Sequence, residues 1–379
     1  MLSSIQQFFK RHQRKFIIGS AIFGGIVLIT RYTQYRIREW QQREIRAILE
    51  RAKKQQHFEH LEKTCDQMTK SLALNIRNTI IKELDGQTII NQLKHGSANK
   101  IALWNELKVI AVTRSAVIIY AYTMLVTFLR IQINVISGYM YQNQIAENNV
   151  EEYDVRAKYL QLSAYFIHDG VQKLCNLMKS KVEQVTFAIS LDNKLTLRDL
   201  EQIYWAITSS IFADNLNDPI KNFTSYAISA TQQAKKLTNG NNETSVYSNI
   251  IDQTLDLLES DEVQNLTQRN IRSGFVSLID RISEYFDIAS KTKNGISYSE
   301  TSSQDDPNEA VNNGTSEFLD INKSTLPMAK IIPIIIGQIP DNPVIRDASA
   351  DLLEYLMSNN DIKMLGANIY EAFSCKTYA

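Results

Sequence analysis

Apolar residues in this chain recur at three- and four-residue intervals over long uninterrupted runs, and the turn punctuation of β-hairpins is nearly absent. The spacing is clear in NKIALWNELKVI, residues 99–110. Leu103, Leu107 and Ile110 share one line, which Val117, Ala121, Leu125 and Phe128 extend. A helix from Asn99 to Tyr141 is predicted. Within it, Ala116 to Leu129 carries no charge, but fourteen residues fall short of the ~20 needed to span a bilayer. Arg114 lies on the apolar stripe itself, so a helix buried at the centre of a bundle is expected. Trp104 leaves the line by roughly 90°, and its neighbours one turn away are Lys100 and Lys108.

Elsewhere the same spacing predicts one long helix, or two in line, from Tyr32 to about Leu84. Asp85-Gly86 breaks it, a short helix covers Gln87–Lys94, and His95-Gly96-Ser97 breaks again. After a polar connection at Gln142–Val150, helices are expected at about 151–187, 197–213, 219–238, 245–290, 345–358 and 361–374. The stretch at about 291–325 is rich in Ser, Thr, Asn and acid, and reads as a mobile polar loop. LPMAKIIPIIIGQIP follows, and Pro327 and Pro333 argue against a plain helix interior there. The class is all-α: a large single helical-bundle domain around a long central helix.

Composition agrees, with 13 Gly and 6 Pro in 379 residues. The net charge is zero, yet its distribution is uneven. Lys10, Arg11, Arg14 and Lys15 precede FIIGSAIFGGIVLIT (Phe16 to Thr30), which carries no charge. More basic residues follow from Arg31, and only acids occur from Asn294 to Asn322. Basic groups on both sides of an apolar segment suit an anionic membrane surface better than nucleic acid. The segment could be a signal peptide, a buried helix or a retained anchor. Ile29-Thr30-Arg31-Tyr32 is a poor cleavage context, and Gly19, Gly24 and Gly25 are common in membrane helices, so the anchor is favoured. The expected organisation is a basic segment at 1–15, a transmembrane anchor at 16–32 and an all-helical domain at 33–379. Charge leaves orientation at a near tie.

Chemistry is scarce. No phosphate loop, zinc-protease motif, nucleophile elbow or dinucleotide fingerprint occurs, and Cys65, Cys175 and Cys375 form no metal or disulfide pattern. His57 and His60 in HFEH read as a solvated helix face. Neither an enzyme, a cofactor nor a small-molecule substrate is expected. What remains is recognition of a protein surface. Trp104 is either a boundary residue packed on a neighbouring helix or an exposed anchor in a groove for a partner's amphipathic helix. In the second case Lys100 and Lys108 select acids on the partner, and Leu93 and Lys94 add another apolar floor and cationic rim.

Several stretches together carry a family resemblance: FFKRHQRKFIIGSAIFGG, QQHFEHLEKTC, SANKIALWNELKVIAVTRSAVIIYAYTMLVTFLRIQINVISGYMY, LLESDEVQNLTQRNIRSGFVSLIDRISEYF, LPMAKIIPIIIGQI and ANIYEAFS. In this order the chain resembles the peroxin-three family of peroxisomal biogenesis factors. The resemblance implies a docking receptor: an all-helical cytosolic domain on a short anchor in the peroxisomal membrane, with the N-terminus towards the lumen. Transit through the endoplasmic reticulum is an allowed route. The partner it implies is peroxin nineteen, the soluble carrier of peroxisomal membrane proteins, bound through an N-terminal helix. The family's groove tryptophan falls on Trp104, its flanking groove positions on Leu93, Lys94, Lys100 and Leu107, an aliphatic wall position on Met140, and a rim lysine on Lys330. A tether or scaffold in organelle inheritance or selective autophagy is the alternative role.

Overall fold

In a computed structural model, residues 2–96, 99–144, 152–229, 242–293, 324–342 and 347–375 are described, without side chains at 2–24, 26–27, 143–144, 152–155, 242–246 and 289–293. The polar loop expected at about 291–325 falls largely outside them, as do most of the 142–150 connection and the C-terminal tail. The chain divides into two compact units, Met1–His60 and Leu61–Ala379.

Helix α1 runs Leu2–Glu83. In the first unit its side chains from Arg31 to Lys53 are almost all exposed, Trp40 among them. In the second unit Leu61, Cys65, Thr69, Ala73, Ile76 and Ile80 form one buried stripe at helical spacing. The elements that follow are α2 (Gly86–Lys94), α3 (Lys100–Gln144), α4 (Glu152–Leu160), α5 (Leu162–Tyr165), a π turn at Phe166–Gly170, α6 (Val171–Thr186), β1 (Lys194–Leu195), α7 (Leu197–Phe212), α8 (Phe223–Ala227), α9 (Asn242–Glu259), α10 (Asp261–Lys293), β2 (Leu326–Pro327), α11 (Met328–Gln338), α12 (Ala348–Ser358) and α13 (Asn360–Ser374). The protein is all-α. Its strands β1 and β2 are a two-residue antiparallel pair, Lys194 opposite Pro327 and Leu195 opposite Leu326.

Helix α3 is the centre of the second unit, and α2, α4, α6 and α9 to α13 pack on it. Every residue from Ile110 to Gly138 is buried. The helix is long and apolar enough to cross a membrane by composition, but 94% of its most apolar window is covered by the fold. Its interior arginines are each compensated, because an unpaired buried charge is prohibitive. Arg114 donates to Asp341 Oδ1 at 2.6 Å and to the Leu84 carbonyl at 2.6 Å. Arg130 pairs with Glu62 and Asp66 on α1. On α1, Arg77 pairs with Asp347, the N-cap of α12, at 2.6 Å.

The helix expected at 245–290 is parted at Ser260 into α9 and α10. Three further expectations need correction. The helix expected at 219–238 is, among the described residues, a turn at 217–222 and the five-residue α8, and Ile228 is already extended. The helix at 151–187 is interrupted at Gln161 and by the π turn. Its Gly170 lies so close to the Tyr226 carbonyl that a Cβ would sit 2.3 Å from that oxygen. The third concerns Pro333, which lies inside α11 rather than ending it. A proline in a helix interior costs about 3 kcal/mol, but burial of Ile331, Ile332 and Ile335 returns ~1.5–3 kcal/mol each. Pro333 itself is exposed, so water reaches the backbone at its turn.

Candidate functional site

The two breaks flanking α2 build the site. Asp85 caps α2, accepting from Gln87 N at 2.9 Å and Thr88 N at 3.2 Å. Its hydrogen bonds, that from the Thr88 hydroxyl foremost, hold its carboxyl below the usual range. Gly86 sits against α3, where a Cβ would touch Leu107, Ile110 and Arg114 at 3.5–3.7 Å. At the other end of α2, His95 caps the helix and Gly96 takes φ +81°, a left-handed residue that turns the chain back. Asn99 then caps α3 by accepting from Ala102 N at 3.4 Å. Helices α2 and α3 are therefore antiparallel neighbours. Gly86 lies beside residues 107–114, and Leu93 and Lys94 come to the same end as Lys100 and Trp104.

Arg114 ties this base together. One guanidinium holds the end of α1 through the Leu84 carbonyl and the segment after α11 through Asp341 and the Ile339 carbonyl. The first turn of α11 is anchored next door. Met328 N donates to Asn193 O at 2.9 Å, and Ala329 N donates to Leu191 O at 3.0 Å. The same loop, through Ile189, is gripped by Lys108, one turn from Trp104. Lys330, in the first turn of α11, is exposed.

Leu107 is a buried floor. Leu93 and Trp104 are half-buried, and Lys94 and Lys100 are exposed. These residues offer an apolar surface with a cationic edge. Ile101 belongs with them, although the sequence reading passed over it. It is 71% exposed and lies one turn before Trp104 on the same face, an i, i−3 signal that was available in the sequence.

Two assignments do not fit the geometry. Lys108 is not a rim charge. It is 4% exposed, and its Nζ donates to the carbonyls of Thr186 at 3.0 Å and Ile189 at 2.7 Å. Burial pushes its ammonium pKa down. At the end of α6 the Thr186 carbonyl accepts from Ile189 N at 3.1 Å, and Lys108 adds a second donor there and a donor to the Ile189 carbonyl beyond the helix. Met140 is not near Trp104 either. It lies 36 residues further along α3, about 54 Å at helical rise. There Tyr141 meets Tyr370 with ring centroids 6.2 Å apart, and Gly138 meets Phe373 of α13. The side chains of Lys10, Arg11, Arg14 and Lys15 lie outside the described residues. Among the described residues, no three His, Cys, Asp or Glu side chains are grouped to hold a metal ion.

The Peroxin-3 family model matches residues 7–102, 96–152 and 137–372. Peroxisomal biogenesis factor 3 of Homo sapiens is 30% identical over 387 residues, covering 99% of this chain and 98% of that protein. The protein of the same name from Rattus norvegicus is 29% identical over 386 residues, with the same coverage. Peroxisome biogenesis protein 3-1 of Arabidopsis thaliana is 19% identical over 300 residues, 73% of this chain and 83% of its own length.

Proposed function

The chain belongs to the Peroxin-3 family and has a role in peroxisome biogenesis, and from that premise we propose that it is a docking receptor in the peroxisomal membrane. It binds the carrier of peroxisomal membrane proteins, peroxin nineteen, through a helix of the carrier, and so brings cargo to the membrane. It performs no catalysis. Residues 16–32 anchor it, with Lys10, Arg11, Arg14 and Lys15 at the anchor's lumenal side and the helical domain in the cytosol.

One observation carries this proposal. A half-buried tryptophan and an exposed isoleucine share one helical face at a capped, braced helix end, beside the exposed ammonium groups of Lys94 and Lys100. A partner helix would lay its apolar anchors on Trp104, Ile101 and Leu93 over the Leu107 floor. Its flanking acids would meet Lys94, Lys100 and Lys330. Those charges lie in water, so they set association rate and register more than affinity. That suits a receptor that must release its carrier. Lys108 holds the loop beneath the site, and Met140 has no part in it.

The test is calorimetric titration of the full chain in liposomes with the carrier's N-terminal helix. Trp104→Ala is expected to lose at least about 2 kcal/mol of binding, a hot-spot loss, with circular dichroism and Tm unchanged. Equal binding by both forms, or a Tm drop of many degrees in the variant, would return Trp104 to a packing role.

A further inference from the structure

A second apolar groove lies between α7 and α10, and none of its lining residues belongs to the Trp104 site. It is a cleft of about 230 Å³. Its floor is rigid. Tyr204 and Phe275 are buried with ring centroids 5.4 Å apart, and the Tyr204 hydroxyl meets Ser115 Oγ of α3 at 2.8 Å. Its walls are open to solvent, with Trp205 48% and Val276 57% exposed. Two exposed apolar side chains facing one cleft on braced helices differ from scattered surface residues.

The rim charges are ordered. Helix α7 runs with α3, since Ser115 meets Tyr204 and Tyr120 meets Thr208. Helix α10 runs against α3. Tyr120 packs edge-on against Phe275, while Arg281 bonds Gln338 beside the Ile339 carbonyl held by Arg114. The two walls are thus antiparallel, which puts Glu201 and Asp280 on the same side of Trp205 and Arg272 along the groove. Arg272 stands at the other end, its guanidinium 5.6 Å from the Trp205 ring centre. Asp280 and Arg272 are eight residues apart on one helix, about 12 Å.

We propose that this groove docks an amphipathic helix of a second protein partner. That helix places aliphatic side chains at i, i+3 or i+4, and i+7 against Trp205 and Val276. It carries a Lys or Arg at one end of this run, for Glu201 and Asp280, and an acid two turns away, for Arg272. The two carboxylates on one side of the groove repel an anionic lipid headgroup, and the opposite charges two turns apart match the pitch of a helix.

The test installs a photo-crosslinking amino acid at the exposed Val276 of the full chain in its native membranes, with cytosol present. The expected adduct is to a protein segment that, when sequenced, has this aliphatic spacing and a base and an acid two turns apart. Glu201→Lys combined with Asp280→Lys is expected to reduce the adduct at least tenfold at unchanged circular dichroism. Trp104→Ala is expected to leave it intact. An acyl-chain adduct, an adduct to a second copy of the chain, a segment without the pattern, no protein adduct, or loss of the adduct with Trp104→Ala would each overturn the proposal.

Discussion

Lys100 and Lys108 flank Trp104 one turn away on either side, and their environments have nothing in common. Lys100 is in water and Lys108 is buried on two carbonyls. Opposite mutational signatures follow. Lys108→Met takes the ammonium donor from the Ile189 carbonyl and one of two donors from the Thr186 carbonyl, which keeps Ile189 N, and urea titration is expected to show a loss of about 1–3 kcal/mol. Lys100→Ala is expected to stay within about 0.5 kcal/mol of the parent in stability. Instead it slows association with the carrier helix and flattens the dependence of that rate on salt, as stopped-flow mixing would show. Periodicity identified Trp104 as the residue off the core line. It could not separate the two lysines, because the α6 end that seats on Lys108 is almost eighty residues away in the chain.

At the scale of elements, close approach and buried charge hold the helices to α3. Helix α13 approaches so closely that a Cβ on Gly138 would lie 2.7 Å from Phe373 Cβ and 3.1 Å from that residue's backbone carbon. Backbone cannot move aside as a flexible side chain can. Gly138→Ala is therefore expected to cost about 1–3 kcal/mol, read as a lower urea midpoint. Helix α12 is held by charge. Asp347 accepts from Arg77 and caps Ala350 N at 2.8 Å. Asp347→Ala strands the guanidinium of Arg77 in the core and removes the cap, so a loss of about 3–5 kcal/mol is expected in the same titration. Either substitution should loosen the domain while leaving Trp104 where it is.

For the molecule as a whole, buried acids of the tyrosine and cysteine type set the alkaline limit. Burial pushes Cys65 up to about 11 and Cys175, Tyr122 and Tyr226 up to about 12. Tyr120, Tyr159 and Tyr204 are raised further by the same cause. Between the ordinary and the folded value the folded chain binds more protons than the unfolded one, so stability falls as pH rises through that window. It is retained below about pH 9. Lys108, with its pKa lowered, acts in the opposite sense, but it is one group. A series of urea melts from pH 8 to 11 is expected to show a steep decline. Tyr159 donates to or accepts from Thr254 Oγ1 at 2.6 Å. Tyr159→Phe should lose about 1 kcal/mol at neutral pH and lessen the alkaline slope by up to about 1.4 kcal/mol per pH unit. An unchanged slope would mean that Tyr159 ionises without unfolding.

Local signals were enough for much of this protein. A 3.6-residue period, few breakers and the Asp85-Gly86 and His95-Gly96 breaks determined an all-α chain with a long central helix and the α2–α3 corner, because those features depend on residues within a turn or two of each other. The resemblance of ordered stretches pointed to the family before any geometry was known. What stayed illegible depends on distant partners. Pro333 remains helical because three isoleucines find a core, which no local propensity records. Helix α8 is short because its surroundings are turns pinned by the buried Asp218, whose carboxylate accepts from Ile220 N at 2.9 Å. Met140 and Trp104 are separated by the length of one helix, a distance that a list of family positions does not contain. Only tertiary packing decided which lysine faces water, since burial belongs to the neighbours a side chain meets and not to the side chain itself.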